Sequence, residues 1–281
     1  MQSKRRSILR FSRSLLIAGV VAVLFWSLIL MIFEEKFVFF PSGYSESFYR
    51  SASVGLNPED HWFRAEDGTK LHAWFVRAKD PVGLLLYFHG NAGNLAHRGE
   101  KVRRLRDAGL SVFIIDYRGY GRSEGSPGED GSYMDGRAAF DYLTGLSGID
   151  TSAVVVYGTS LGGAIAVDVA ANRAASGMIL ESTFSSAKDV AAVAYPFLPV
   201  RFVMKTRLDS ESKISSIHIP LLFIHGSDDS IIPIRLGRKL FNAANEPKEF
   251  HVIRGADHND VFVVGGSDYV RLVREFVVNN R

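Results

Sequence analysis

The chain reads as an α/β fold built on a mostly parallel sheet with helices on both faces. Three features of the 281-residue sequence carry that reading. Several short apolar runs lack polar alternation, so both of their faces are buried. Nearly every such run is followed by a stretch of helical pattern, the rhythm of strand–helix–strand units. A hairpin pattern around "DGT" precedes them and would add antiparallel edge strands.

In chain order, residues 61–66 and 71–77 flank "DGT" and form the leading hairpin. Residues 84–88 make a short apolar strand and 95–107 a helix. "SVFIID" (111–116) is the next strand, and 131–146 suits a helix. "AVVVY" (153–157) is a buried strand, with a helix over 160–172. Strands at 177–181, 221–225 and 249–254 complete the sheet, with helices over 233–245 and 267–279. The interval 183–217 breaks the rhythm. It holds "VAAVAYPFLPVRFVM", too long for a tight connection and too apolar for a solvated loop, so it reads as a short cap over the strand ends.

The N-terminus is of another kind. Lys4, Arg5, Arg6, Arg10 and Arg13 carry +5 with no acid among residues 1–13, which leaves −2 on the rest of a chain of net charge +3. The basic balance therefore belongs to the tail, and nucleic-acid binding by the main domain loses its electrostatic motive. Residues 15–33 are uncharged and apolar, long enough for most of a bilayer core. Bulky residues lead straight into Glu34-Glu35-Lys36, a poor setting for signal cleavage. The expected layout is a basic cytoplasmic tail (1–14), a single transmembrane helix (15–33), a linker (34–60) and a domain over 61–281. Positive charge on the tail keeps it inside and puts the domain outside, which is the periplasm in a bacterium. With no cysteine, disulfides, thiolate nucleophiles and cysteine metal sites are excluded.

"YGTSLGG" (157–163) closes the strand at 153–157. Glycines two residues either side of Ser160 permit a sharp strand-to-helix turn that lifts the hydroxyl clear of the sheet. A serine needs a base, and the base needs an orienting carboxylate. Of eight histidines, His258 in "RGADHND" occupies a loop after the last strand, where the order Ser…Asp…His requires it. The acid comes from "LLFIHGSDDSIIP". Spacing favours Asp229, and adjacent Asp228 remains an alternative. "YFHGNAGNLAHR" bends after the strand at 84–88. The amides of Asn91 and Leu161 are the candidate oxyanion-hole donors, and His89 reads as a shaper of that loop. "DYRGYGRSEG" (116–125) reads as a rigid loop beside the site, and the basic helix at 98–106 as a solvated face.

"HGNAGN", "DYRGYGRSEG", "GTSLGG", "HGSDDSIIP" and "GADHND", in that order over about 60–280, resemble the α/β-hydrolase superfamily. The "HGNAGN" form behind an N-terminal anchor is similar to a membrane-anchored branch of bud-emergence-type and depalmitoylase-like hydrolases. The resemblance implies an α/β-hydrolase fold and a triad of Ser160, Asp229 and His258. It also marks Asp257 as a departure, since relatives often carry glycine before the histidine. The expected activity is hydrolysis of a carboxylic ester or thioester through an acyl-enzyme, with a small-molecule or lipidic acyl substrate. No metal or organic cofactor is called for. A serine aminopeptidase and an inactive membrane-tethered binding protein are the competing readings.

Overall fold

The computed structural model describes residues 2–281, with side chains from residue 11 onward. Helix α1 (Gln2–Val38) leads into β1 (Phe40–Pro41), α2 (Glu46–Ser53), β2 (Glu59–Arg64), β3 (Lys70–Val76), β4 (Gly83–Phe88) and β5 (Ala92–Gly93). Then come α3 (Gly99–Asp107), β6 (Leu110–Asp116), α4 (Glu129–Thr144), β7 (Val154–Thr159), α5 (Leu161–Asn172) and β8 (Gly177–Glu181). The chain closes with α6 (Ala187–Ala194), α7 (Val200–Val203), α8 (Ser210–Ile214), β9 (Leu221–Gly226), α9 (Ile234–Ala243), β10 (Lys248–Ile253), α10 (Val261–Val264) and α11 (Gly266–Asn279).

Eight strands form one sheet in the order β10-β9-β8-β7-β4-β6-β3-β2. The run from β10 to β6 is parallel, and β3 and β2 pair antiparallel at one edge. The apolar strands are buried on both faces because two cores flank them. Leu86 and Phe88 of β4 point into the core under α4 and α5. Leu85 and Tyr87 point into the core under α3 and α11. Each fully buried Leu or Val contributes roughly 1.5–3 kcal/mol, so side-chain alternation within one strand holds both helical layers to the sheet.

Helix α1 is longer than the apolar run alone suggests. Its stretch Phe11–Val38 is apolar and almost wholly exposed, and Phe33 departs from helical geometry near its end. Residues 34–60, expected as a linker, are built into the domain. Phe40 N donates to Asn91 O (3.0 Å) and Ser42 N to Gly93 O (2.9 Å), pairing β1 with β5. Tyr49 of α2 is buried against Trp74. The turn and helix signals of this segment were masked by its scattered Ser and Gly. The 183–217 interval forms α6, α7 and α8, and α7 packs against α1.

Candidate active site

Ser160 follows the last residue of β7 and precedes α5, with φ 54° and ψ −120°. A non-glycine residue in that region is strained, and strain of this kind persists only where the surroundings over-determine it. Here they do. Ser160 N donates to Glu181 O (2.8 Å), and Thr183 Oγ1 donates to Ser160 O (2.9 Å). A Cβ on Gly158 would sit 2.3 Å from Gly162 O, and one on Gly162 would sit 2.0 Å from Phe88 O. Both glycines are therefore required by the close approach of β7, α5 and the end of β4.

His258 Nε2 lies 3.0 Å from Ser160 Oγ, and His258 Nδ1 lies 2.8 Å from Asp229 Oδ2. With Nδ1–H donating to the carboxylate, Nε2 is left to accept the serine proton. All three side chains are largely buried. Burial pushes the Asp229 carboxyl up. Hydrogen bonds from His225 and His258, with the Ile232 N–H, outweigh it and hold the group far below the usual carboxylate range. Ile231 N (3.1 Å) and Ile232 N (2.7 Å) both donate to Asp229 Oδ1. Of the two adjacent acids, Asp229 thus reaches the histidine. Asp228 is exposed and accepts from Ser227 Oγ (2.7 Å).

Asp257 has a function that its sequence position did not disclose. Its Oδ1 accepts from Ser230 N (2.8 Å) and from His258 N (2.7 Å). The residue thereby ties the loop carrying His258 to the loop carrying Asp229. Its position immediately before the histidine was visible, but its partner, 27 residues away, was not.

Asn91 and Leu161 lie on the cavity wall beside Ser160 and His258. Leu161 opens α5, so its N–H has no acceptor within the helix and the helix dipole points the same way. The Gly90–Asn91 peptide is oriented from its carbonyl side, where Gly90 O accepts from His89 Nδ1 (2.7 Å). The next peptide is held by Tyr120 OH (2.7 Å) and Phe40 N (3.0 Å) on Asn91 O. His89 thus shapes the loop as expected, whereas Tyr120 and Phe40 were not singled out. Behind this loop Asp116 is wholly buried and accepts from Leu95 N and Tyr49 OH, each at 2.7 Å.

Above Ser160 is a cavity of about 430 Å³. It is walled by residues of α1 (Leu30, Met31, Phe37), of the cap (Ala194, Val203, Met204) and by Ile231 and Ile232. The lining is predominantly apolar, and its one carboxylate among the described residues is Glu34. Both Glu34 oxygens are engaged, by Lys205 N (2.9 Å) and by Thr206 N.

Comparison with known proteins places the chain. A family profile described as "Serine aminopeptidase, S33" matches residues 79–208. The α/β hydrolase domain-containing protein WAV2 of Arabidopsis thaliana is 36% identical over 89% of this chain and 89% of its own length. Protein bem46 of Schizosaccharomyces pombe is 34% identical over 86% of this chain and 83% of its own. An uncharacterised protein of Mycobacterium tuberculosis is 35% identical over 96% of both. Among solved structures, a Pyrococcus furiosus esterase aligns with a TM-score of 0.71, at 19% identity, over 86% of this chain and 99% of that one. The chain belongs to the α/β-hydrolase superfamily, in its bud-emergence-type branch.

Proposed function

We propose that this protein is a membrane-anchored serine hydrolase that cleaves carboxylic ester or thioester bonds through an acyl-enzyme. One observation carries the reading: Ser160 Oγ, both ring nitrogens of His258 and Asp229 Oδ2 form a continuous hydrogen-bonded line at the floor of an apolar cavity. His258 Nε2 takes the Ser160 proton as Oγ bonds to the acyl carbon. Asp229 stabilises the imidazolium and fixes the ring. The N–H groups of Asn91 and Leu161 receive the developing oxyanion. One such donor is worth about 3 kcal/mol of transition-state stabilisation. His258 then protonates the leaving group and later takes a proton from the water that releases the acyl group.

Helix α1 supplies the anchor in this reading. The cations of residues 4–13 favour a cytoplasmic N-terminus with the catalytic domain outside. A reporter fused after Arg281 is expected to be active outside the cytoplasm, and activity inside would reverse the orientation.

The profile match to serine aminopeptidases raises a peptidase as the competitor. An aminopeptidase needs a free carboxylate for the substrate amine, and Glu34, the acid on the cavity wall, is occupied by two backbone N–H groups. The deciding experiment is a panel of p-nitrophenyl esters of rising chain length, acyl thioesters and aminoacyl anilides, with the full-length protein in detergent. Turnover of esters or thioesters is expected. Turnover confined to the anilides makes the protein a peptidase, and none at all by folded protein makes it a binding protein.

A further inference from the structure

The cavity over Ser160 has a wall that the α/β domain does not supply, because Leu30, Met31 and Phe37 belong to α1. Residues 14–33 of α1 carry no charge and lie between Arg13 and Glu34. At about 1.5 Å per residue they span about 30 Å, the thickness of a bilayer's hydrocarbon core. With α1 as the anchor proposed above, Glu34 stands at the edge of that core. Met31 and Leu30, three and four residues before it, lie on the apolar side of that edge. The cavity thus runs from the serine hydroxyl to a level below the bilayer surface.

Two further observations put the cap at the same level. Glu34 is 8% exposed and accepts the backbone N–H groups of Lys205 and Thr206, which clips the cap to the edge of the span. The cap then presents Phe197, 89% exposed, and Phe202, 90% exposed, to its surroundings. Lys205, whose N–H is part of the clip, and Arg207, next to Thr206, are exposed. Bare aromatics and cations on a cap that packs against an apolar helix match a surface resting in the boundary between headgroups and acyl chains.

We propose that the substrate is a diacyl phospholipid resident in the bilayer, and that one of its acyl chains enters the cavity sideways, between α1 and the cap. This rests on the serine-hydrolase reading above. The second chain stays in the bilayer while the phosphate sits level with Lys205 and Arg207. Ser160 Oγ bonds to the acyl carbonyl carbon and gives its proton to His258. The bond to the glycerol oxygen breaks, and that oxygen takes the proton from His258. Water then adds to the acyl carbon, its proton returns through His258 to Ser160, and a fatty acid leaves beside a lysophospholipid.

The test uses the full-length protein in vesicles of phosphatidylethanolamine and phosphatidylglycerol carrying a pyrene-acyl phosphatidylglycerol. Release of pyrene fatty acid with an equal amount of lysophospholipid is expected, and none from Ser160→Ala. The double variant Phe197→Ser/Phe202→Ser removes the surface contact and leaves the cavity intact. It should lower the vesicle rate about tenfold, with p-nitrophenyl acetate turnover within about twofold of wild type. Met31→Trp narrows the sideways entrance and should lower the ratio of lipid to acetate turnover about tenfold. Three results would overturn the proposal: acetate turnover with the phospholipid untouched, cleavage of a palmitoyl-thioester peptide on the same vesicles but not of the phospholipid, or wild-type lipid rates in both variants. If folded wild type ignores p-nitrophenyl acetate as well, the serine-hydrolase reading itself fails and takes this proposal with it.

Discussion

Asp229 and Glu181 are both buried acids at the same end of the sheet, on the neighbouring strand ends of β9 and β8, yet they are partnered in opposite ways. Glu181 is paired with a lysine. Lys101 Nζ lies 2.8 Å from each of its oxygens, and Tyr157 OH and Tyr269 OH (2.6 Å) complete the set. Burial raises the Glu181 carboxyl, but Lys101 and the two phenols reverse that and hold it below the usual range. Burial pushes both phenols well above their ordinary range, so they stay neutral donors. Asp229 has imidazoles instead. An imidazole that donates from one nitrogen keeps the other as a proton acceptor, and His258 turns that nitrogen to Ser160. The first acid is locked into architecture, its backbone carbonyl holding Ser160 N. The second leaves one site in its chain of hydrogen bonds free to move a proton.

The two acids should differ most in turnover at Asp229. Asp229→Asn keeps the shape but no longer favours the needed tautomer or the imidazolium. Turnover of the preferred ester in the panel should fall by about three to four orders of magnitude with the fold retained by circular dichroism. A loss of less than about tenfold would move the orienting role elsewhere.

At the other acid the effect should appear in stability. Lys101→Met leaves Glu181 charged and unpaired, which costs about 3–5 kcal/mol in denaturant titrations. Adding Glu181→Gln should recover most of it, because the uncompensated charge is then gone. A thousandfold loss of turnover in Lys101→Met at unchanged stability would erase the distinction between the two acids.

A third buried acid sharpens the contrast through pH. Burial raises Asp116, while contacts with His72, His89 and Tyr49 pull it down to about 2 from an ordinary 3.8. Its folded pKa is depressed, so its contribution is complete above the unfolded value and lost as pH falls through the folded one. About 2 kcal/mol should disappear between pH 5 and pH 2. Asp116→Asn should lack that component, and an identical acid profile in wild type and variant would contradict the assignment. The smallest effect belongs to Asp228→Asn, which should stay within about 0.5 kcal/mol in stability and about twofold in turnover. That outcome separates Asp228 from Asp229.

Strands buried on both faces must be apolar without alternation, so β4, β6, β7, β8 and β9 could be found from pattern alone. The turn around Ser160 was legible for the same kind of reason, since Gly158 and Gly162 admit no Cβ. What sequence concealed were partners far apart in the chain. The helix at 98–106 reads as a solvated basic face, yet Lys101 is buried, one turn before Leu105 on the side that packs against the sheet. Its carboxylate lies 80 residues on. The partners of Asp257, Tyr120 and Glu34 stayed hidden for that reason too, and the pairing of β1 with β5 was hidden by polar residues around it.

In the proposed reaction Ser160 becomes covalently acylated with His258 as its base. The most direct measurement of this step is mass spectrometry of the full-length protein after reaction with a fluorophosphonate, with the modified peptide sequenced. One adduct is expected, on Ser160, absent from Ser160→Ala and strongly slowed in His258→Ala. An adduct on another residue, or none on folded wild-type protein, would contradict it.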